Sequence, residues 1–224
     1  STPLGLLFFR GNMREALAQA KGLCVFPSAP GLATLDTDER YRKALLQADT
    51  RFVDSGFLAL AWFILGGGFL SRISGLRFLK AFLASTFLRE KRSLWIHPSP
   101  AHRTRNENYL LQEGFPTALQ THGVAPFYPA EGDIHDEELL SLCQSIHPAV
   151  IIINLGSNIQ EPLGAYLKNH LPYAPLILCT GGAIDFLTGA QAKIPDWADR
   201  LFLGWLFRIL TTPRKQAKQM RVSP

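Results

Sequence analysis

Along the chain, short apolar runs alternate with longer amphipathic segments. The apolar runs predict strands at "LCVFP", "TRFVD", "SLWIHP", "AVIIINLG" and "APLILCTG". The amphipathic segments predict helices at "DTDERYRKALLQA", "GFLALAWFIL", "RTRNENYLLQEG", "DEELLSLCQSI" and "EPLGAYLKNHL", with Asp36 capping the first and Gly114 closing the third. Such alternation predicts an α/β fold, a largely parallel, Rossmann-like sheet with helices on both faces.

Two predicted strands run into loops that suit a ligand. "IIINLGSNIQEP", residues 151–162, begins with four residues suited to a buried strand and then passes to Gly, Ser, Asn, Gln and Glu, and "CTGGAID" lies at the end of the next strand. In open parallel sheets, ligands bind outside the carboxyl ends of the strands. Glycines let the backbone approach a ligand, and the N–H groups of a helix start favour an anion such as a diphosphate.

Composition fits one compact domain with room for a short appendage. The 224 residues are 47% hydrophobic and 18% charged, enough to bury a substantial core. Three widely spaced cysteines suggest neither a disulfide framework nor a zinc ribbon. They fit a reducing cytoplasm, and the start of the sequence does not predict a secretory signal.

Two further segments are strongly apolar. "GFLALAWFILGGGFL", residues 56–70, is shorter than the roughly 20 residues of a spanning helix. We favour a buried helix there, with an interfacial segment as the alternative. "WADRLFLGWLFRIL" is also rich in aromatic residues. From Arg208 to Pro224 the charged residues are all basic, and the five are Arg208, Arg214, Lys215, Lys218 and Arg221. This end of the chain fits either an anionic lipid surface or a core-packed helix with a solvated end.

The sequence gives little support for a nucleotide kinase, a serine hydrolase, a metal site or a nucleic-acid-binding protein. There is no P-loop, Gly-x-Ser-x-Gly or Gly-x-Gly-x-x-Gly motif, the histidines lack metal-ligand spacing, and no nucleic-acid-binding motif occurs. "DTD" at 36–38 imitates a metal-binding Asp-x-Asp, but we favour helix capping because a helical pattern follows. Asp54 in "VDSG" has two interpretations, a functional carboxylate at a strand end or a cap of the next helix.

The ordered set of motifs resembles the WecG/TagA/CpsF glycosyltransferases, glycosyltransferase family 26, over roughly residues 23–221. The motifs are "RYRKALLQADTRFVDSG", "SRISG", "LGSNIQE", "TGGAIDFLTG", "KIPDW" and "GWLFRILTTPRK". The resemblance implies inverting transfer of a sugar from a UDP-sugar to a polyprenyl-diphosphate-linked acceptor in bacterial cell-surface polysaccharide, teichoic acid or exopolysaccharide synthesis. It implies no cofactor and no required metal. The implied location is cytoplasmic, peripheral on the inner face of the membrane. The implied partner is an anionic membrane surface, and nucleic acid is not a partner. Assembly into a homo-oligomer is possible.

The resemblance also implies roles for particular residues and a division of the chain. Asp54 matches the proposed general base, and Arg72 matches an arginine that offsets charge on the leaving diphosphate. The implied nucleotide-sugar-binding residues are Gly156, Gln160, Glu161, Gly181, Gly182 and Asp185. Those implied for the acceptor, diphosphate or membrane are Ser28, Arg208, Arg214 and Arg221. Residues 1–195 would form the α/β core, and residues 196–224 a helical, basic, membrane-associating appendage that completes the active site.

The chain departs from the family pattern at four places. It has Phe26, Pro27 and Ser28 for Thr-x-Asn, His97 and Pro98 for Gly-Gly, Gly204 for Glu, and Lys193 for Arg. These changes keep a second hypothesis open, a noncatalytic relative that binds UDP-sugars or lipid-linked glycans or scaffolds an assembly complex.

Overall fold

The computed structural model describes residues 5–190, and its core is one parallel sheet of six strands. The strands are β1 Leu23–Val25, β2 Thr50–Arg51, β3 Ser93–His97, β4 Gln120–Val124, β5 Val150–Ile153 and β6 Leu176–Cys179. Their order across the sheet is β2-β1-β6-β5-β3-β4, and every pairing is parallel. The predicted α/β, Rossmann-like fold is confirmed.

Ten α-helices in the described range surround the sheet. They are α1 Met13–Gln19, α2 Ala29–Leu32, α3 Glu39–Gln47, α4 Gly56–Ile64, α5 Gly75–Ala84, α6 Phe87–Glu90, α7 Pro100–Gln112, α8 Glu137–Ile146, α9 Gln160–His170 and α10 Ala183–Leu187. Helices α3, α8 and α9 pack on one face of the sheet, which we call the α9 face. Helices α1, α5, α7 and α10 pack on the other, the α5 face.

Strand alternation divides the side chains between these faces. In β5, Ile151 and Ile153 lie in the cluster of the α9 face, whereas Val150 and Ile152 lie in that of the α5 face. Both faces are apolar, which explains why the central strands read as continuous hydrophobic runs. Helix α9 approaches especially closely, since a Cβ on Gly164 would lie 2.7 Å from Leu23 Cδ1.

Three local expectations need correction. The cap of α3 is Asp38, whose side chain accepts the N–H of Tyr41, so the Asp36 prediction is wrong. Strand β4 is absent from the predicted strands because "QTHGV" has no apolar run. It lies at the side of the sheet, where its positions are partly exposed. Segment 56–70 contains the expected helix α4, but its second half is exposed rather than buried.

Within residues 5–190, no helix is both long and apolar enough to cross a membrane. The proposed appendage, residues 196–224, and its boundary at 195 lie outside the described residues, as do Lys193 and Gly204.

Candidate active site

Because the sheet is parallel, the loops after its strands gather at one edge. Ser28 follows β1, Asp54 follows β2, Asn154 to Ile159 follow β5, and Thr180 to Gly182 follow β6. Strand β3 connects outward to β4, whereas its neighbour β5 connects the other way to β6. Such a change of direction opens a crevice where α/β proteins bind ligands.

Asp54 is held at this edge by hydrogen bonds from a backbone N–H and from a side chain. Its Oδ1 accepts the N–H of Gly75 at 2.9 Å, and its carbonyl accepts Nε of Arg72 at 3.1 Å. Val53 and Arg72 form an isolated parallel bridge, with the N–H of Ile73 donating to the carbonyl of Val53. The structure therefore brings the two predicted catalytic residues together.

The interpretation of Asp54 as the cap of the following helix is wrong. Ser55 caps α4, since its hydroxyl accepts the N–H of Leu58 at 3.1 Å. Asp54 reaches instead to the first residue of α5, whose own cap is Ser74.

Gln160 and Glu161 join the two loops that the sequence singles out. Gln160 Oε1 accepts the N–H of Gly181 at 2.7 Å, and its Nε2 donates to Glu161 Oε1 at 3.1 Å. Glu161 Oε2 accepts the N–H of Asn158 at 3.1 Å. Both side chains are buried, and Gly181 has a φ of 59°, a conformation that favours glycine. The buried pair fixes the glycine turn after β6 to the loop after β5.

Glu161 has an unusual protonation equilibrium. Complete burial raises its pKa from 4.5 to about 7, against the opposing effect of the bonds from Gln160 and Asn158. Its carboxyl group therefore titrates near neutral pH.

Ser28 ties a third loop to the same edge. Its hydroxyl lies 2.9 Å from that of Ser157 and accepts the N–H of Gly31, as the cap of α2. Neighbouring Gly156 is exposed, and open space surrounds the position of its missing Cβ. Ser28 and Gly156 thus border the edge, although no bound ligand assigns them a role.

Several buried polar atoms at the edge have no hydrogen-bond partner among residues 5–190. They are both amide atoms of Asn154, the hydroxyl of Thr180 and Oδ1 of Asp185. The three residues are at least nine-tenths buried. An unsatisfied buried polar group costs roughly 1–3 kcal/mol, so such a concentration is typical of a ligand site. The predicted list included Asp185 but missed Asn154 and Thr180, which a polar residue directly after each strand could have indicated.

Asp185 lies close to a residue absent from the predicted list. His102 Nε2 lies 3.7 Å from Asp185 Oδ2, and His102 Nδ1 lies 2.7 Å from the hydroxyl of Ser99, the cap of α7. Burial raises the pKa of Asp185, whereas the charge of a protonated His102 lowers it.

His97 lies in a chain of buried and partly buried polar side chains. Asn106 Nδ2 lies 3.1 Å from His97 Nδ1, and His97 Nε2 lies 2.9 Å from His122 Nδ1. With Asn106 as donor, the protons lie on Nε2 of both rings, and His122 donates onward to Gln120 Oε1 at 3.3 Å. Burial lowers the pKa of His97 to about 3 and that of His122 to about 4, so both rings are neutral near pH 7.

The remaining predicted residues fall into two groups. Gly182 precedes α10, directly beside Gly181. Arg208, Arg214 and Arg221 lie outside the described residues. Among the residues that are described, no three His, Cys, Asp or Glu side chains are grouped so that they could hold a metal ion.

The parallel sheet and its convergent polar edge place the chain in the class of Rossmann-like α/β proteins that bind ligands beyond their strand ends. The model of the glycosyl transferase WecG/TagA/CpsF family matches residues 7–224. The chain belongs to this family, which makes it a glycosyltransferase of the general kind that builds cell-surface polysaccharides.

Proposed function

We propose that the protein is an inverting, metal-independent transferase that moves a sugar from a UDP-sugar to a polyprenyl-diphosphate-linked acceptor. The observation that carries this proposal is the placement of Asp54. Its half-buried carboxylate is fixed by the Gly75 N–H at the ligand-binding edge, beside the Arg72 guanidinium.

This placement suits a general base. Asp54 takes the proton of the acceptor hydroxyl while that oxygen bonds to the anomeric carbon of the donor. The bond from the anomeric carbon to the UDP oxygen breaks on the opposite side, which inverts the configuration. Arg72 offsets the charge that develops on the departing diphosphate.

The two loops after β5 and β6 are proposed to hold the donor. Gly156, Gly181 and Gly182 admit the nucleotide to the backbone, and Gln160 with Glu161 keeps both loops in register. Asn154, Thr180 and Asp185 offer buried hydrogen-bonding atoms without partners among the described residues, and a bound UDP-sugar would supply them.

The acceptor is proposed to approach from the side of Ser28, with Arg208, Arg214 and Arg221 binding its diphosphate or an anionic membrane. In this proposal residues 1–195 are the catalytic core and residues 196–224 the membrane-associating appendage. The enzyme then acts on the cytoplasmic side of the membrane, and its product enters polysaccharide, teichoic acid or exopolysaccharide synthesis.

The test is UDP release by the full chain from a panel of UDP-sugars with lipid-linked mono- and disaccharides, with and without EDTA. We expect release that requires both substrates, persists in EDTA and gives a product of inverted anomeric configuration by NMR. Retained configuration or loss of activity in EDTA contradicts the proposal.

Thermal shifts separate the enzyme from a noncatalytic relative. A ligand at 100 times its dissociation constant stabilises by roughly 2.7 kcal/mol. We expect UDP and UDP-sugars to stabilise the protein more than ADP or GDP. A large UDP shift without transfer across the whole panel supports the noncatalytic relative, which the sequence departures at Phe26 and His97 favour.

A further inference from the structure

Helix α4 ends in an exposed apolar surface that we call the α4 tip. Its members are Leu60, Phe63, Ile64, Leu65 and Phe69, with exposed fractions of 48%, 62%, 73%, 80% and 77%. Side chains of this size expose roughly 100 Å² each at such fractions. The tip therefore exposes several hundred Å², about the size of the largest apolar patch on a typical monomer, and patches of that size are often functional.

The tip has a defined conformation at the end of a short helix. On the inner side, Ala59 packs with Val53 and Leu70 in a small separate cluster. Trp62 Nε1 donates to the carbonyl of Gly67 at 2.6 Å, which closes the turn. Gly66 and Gly68 have φ values of 77° and 84°, so glycine is needed at both positions to form it.

The charges near the tip are of one sign along the chain. Between Asp54 and Glu90 there are no acids, and the basic residues nearest to the tip along the chain are Arg72, Arg77 and Lys80. Arg89, the fourth, instead donates to the carbonyls of Glu113 and Gly114. Arg77 and Lys80 are exposed on α5. The nearest acid of α1, the helix that packs on α5, is Glu15, and its carboxylate is engaged in the capping box of Asn12.

We propose that the α4 tip inserts into an anionic lipid surface. An aromatic and aliphatic projection followed along the chain by exposed basic residues fits the boundary between acyl chains and anionic headgroups. The charge pattern is the reason for choosing lipid over a second copy of this chain, because an apolar contact between copies gains nothing from flanking cations of one sign. This contact is separate from the one proposed for residues 196–224.

The position of the tip has a consequence for the active site. Asp54 comes two residues before the first residue of α4, and nine helical residues span roughly 14 Å. Insertion of the tip therefore brings the edge of the sheet near the bilayer surface. The lipid contact does not depend on the identity of the donor, so it can hold even if the proposed transfer fails.

The test compares two paired substitutions in the full-length protein. Phe63→Ser with Leu65→Ser removes two side chains of the tip, whereas Phe127→Ser with Leu111→Ser removes a matched pair from other surfaces, 90% and 58% exposed. Flotation is measured with phosphatidylglycerol vesicles and with phosphatidylcholine vesicles. A third variant, Leu65→Cys, carries an environment-sensitive fluorophore, and the three natural cysteines are buried.

We expect the tip pair to lower the apparent affinity for phosphatidylglycerol vesicles by at least about tenfold and the matched pair to leave it unchanged. The fluorophore at position 65 should shift to the blue with phosphatidylglycerol vesicles and shift less with phosphatidylcholine. Equal melting temperatures of the two pairs exclude misfolding, and Phe69→Ser alone should give a smaller loss in the same direction.

Three results overturn the inference. Wild-type flotation of the tip pair shows that the tip does not contribute to lipid binding. A fluorophore already shielded without vesicles shows that protein covers the tip. A tip pair that changes the oligomeric state in sedimentation without changing flotation identifies an interface between copies.

Discussion

The carboxylate of Asp54 accepts the backbone N–H of Gly75, the first residue of α5, at 2.9 Å. This bond joins the end of the second strand to a helix 21 residues further along the chain. It orients the carboxylate from outside its own loop, whereas the helix that follows Asp54 is capped by Ser55.

Asp54→Asn separates catalysis from structure. An amide oxygen can still accept the Gly75 N–H, so the melting temperature should change little, but the amide cannot take a proton. Transfer should fall by roughly 10²- to 10⁴-fold while UDP binding stays nearly unchanged. The measurement is UDP release with a lipid-linked acceptor beside a UDP thermal shift. Transfer that survives the substitution would remove Asp54 from the mechanism.

Gln160→Ala tests the connection between the two loops. The Gly181 N–H loses its acceptor inside the protein, which should lower the free energy of unfolding by roughly 1–3 kcal/mol. UDP affinity should fall as well, because the glycine turn is no longer fixed. Chemical denaturation and UDP titration measure the two effects. The exposed Gln144→Ala of α8 is the control, and equal behaviour of the two variants contradicts the role of Gln160.

Asn154→Leu should have opposite effects on stability and on binding. The apolar side chain of similar size removes two unsatisfied polar atoms, so the free energy of unfolding should rise by roughly 1 kcal/mol or more. Affinity for a UDP-sugar should fall by about tenfold or more if the amide contacts the ligand. The exposed Asn108→Leu serves as the comparison. A destabilised Asn154→Leu protein with unchanged donor affinity would show that the amide is structural.

The histidine pair predicts a loss of stability in acid. The pKa values of His97 and His122 are lowered to about 3 and about 4, so the unfolded chain binds more protons than the folded one below pH 6.5. Each histidine then lowers the free energy of unfolding by roughly 1.4 kcal/mol per pH unit as the pH falls through this window. Between pH 7 and 4.5, Glu161 raises the free energy of unfolding as the pH falls. Its pKa is raised in the folded protein, so in this range the folded state binds more protons at Glu161 than the unfolded state does. The loss should therefore be steepest just below pH 4.5.

Denaturant unfolding from pH 7 to pH 3.5 measures this slope. His122→Asn keeps an acceptor near the position of Nδ1 but removes one titrating group, so the slope should fall by about 1.4 kcal/mol per pH unit. The exposed His135→Asn is the control. An unchanged slope in His122→Asn would show that the His97–His122 pair does not govern acid stability.

Local residue patterns predicted most of the fold. The apolar runs of β1, β3, β5 and β6 and the amphipathic pattern of α3, α8 and α9 were sufficient, because buried parallel strands and two-faced helices impose these periods directly. The edge strand β4 was missed because partial exposure places no demand for a hydrophobic pattern on "QTHGV". The cap of α3 was misplaced by two residues, since both Asp36 and Asp38 can cap and only the backbone path selects Asp38.

The sequence by itself determined which loops carry the polar groups and, through its motifs, the glycosyltransferase family. Strand ends, glycines and the Gln160-Glu161 pair are local features that can be read along the chain. Tertiary structure alone decided that Asp54 binds Gly75, that Gln160 binds Gly181 and that His97 joins His122, since these pairs lie 21, 21 and 25 residues apart. It also decided that the second half of α4 is exposed while the side-chain amide of Asn154 is buried without a partner among the described residues. The physical reason is that burial and partner choice depend on which elements pack together, and residue periodicity describes only one element at a time.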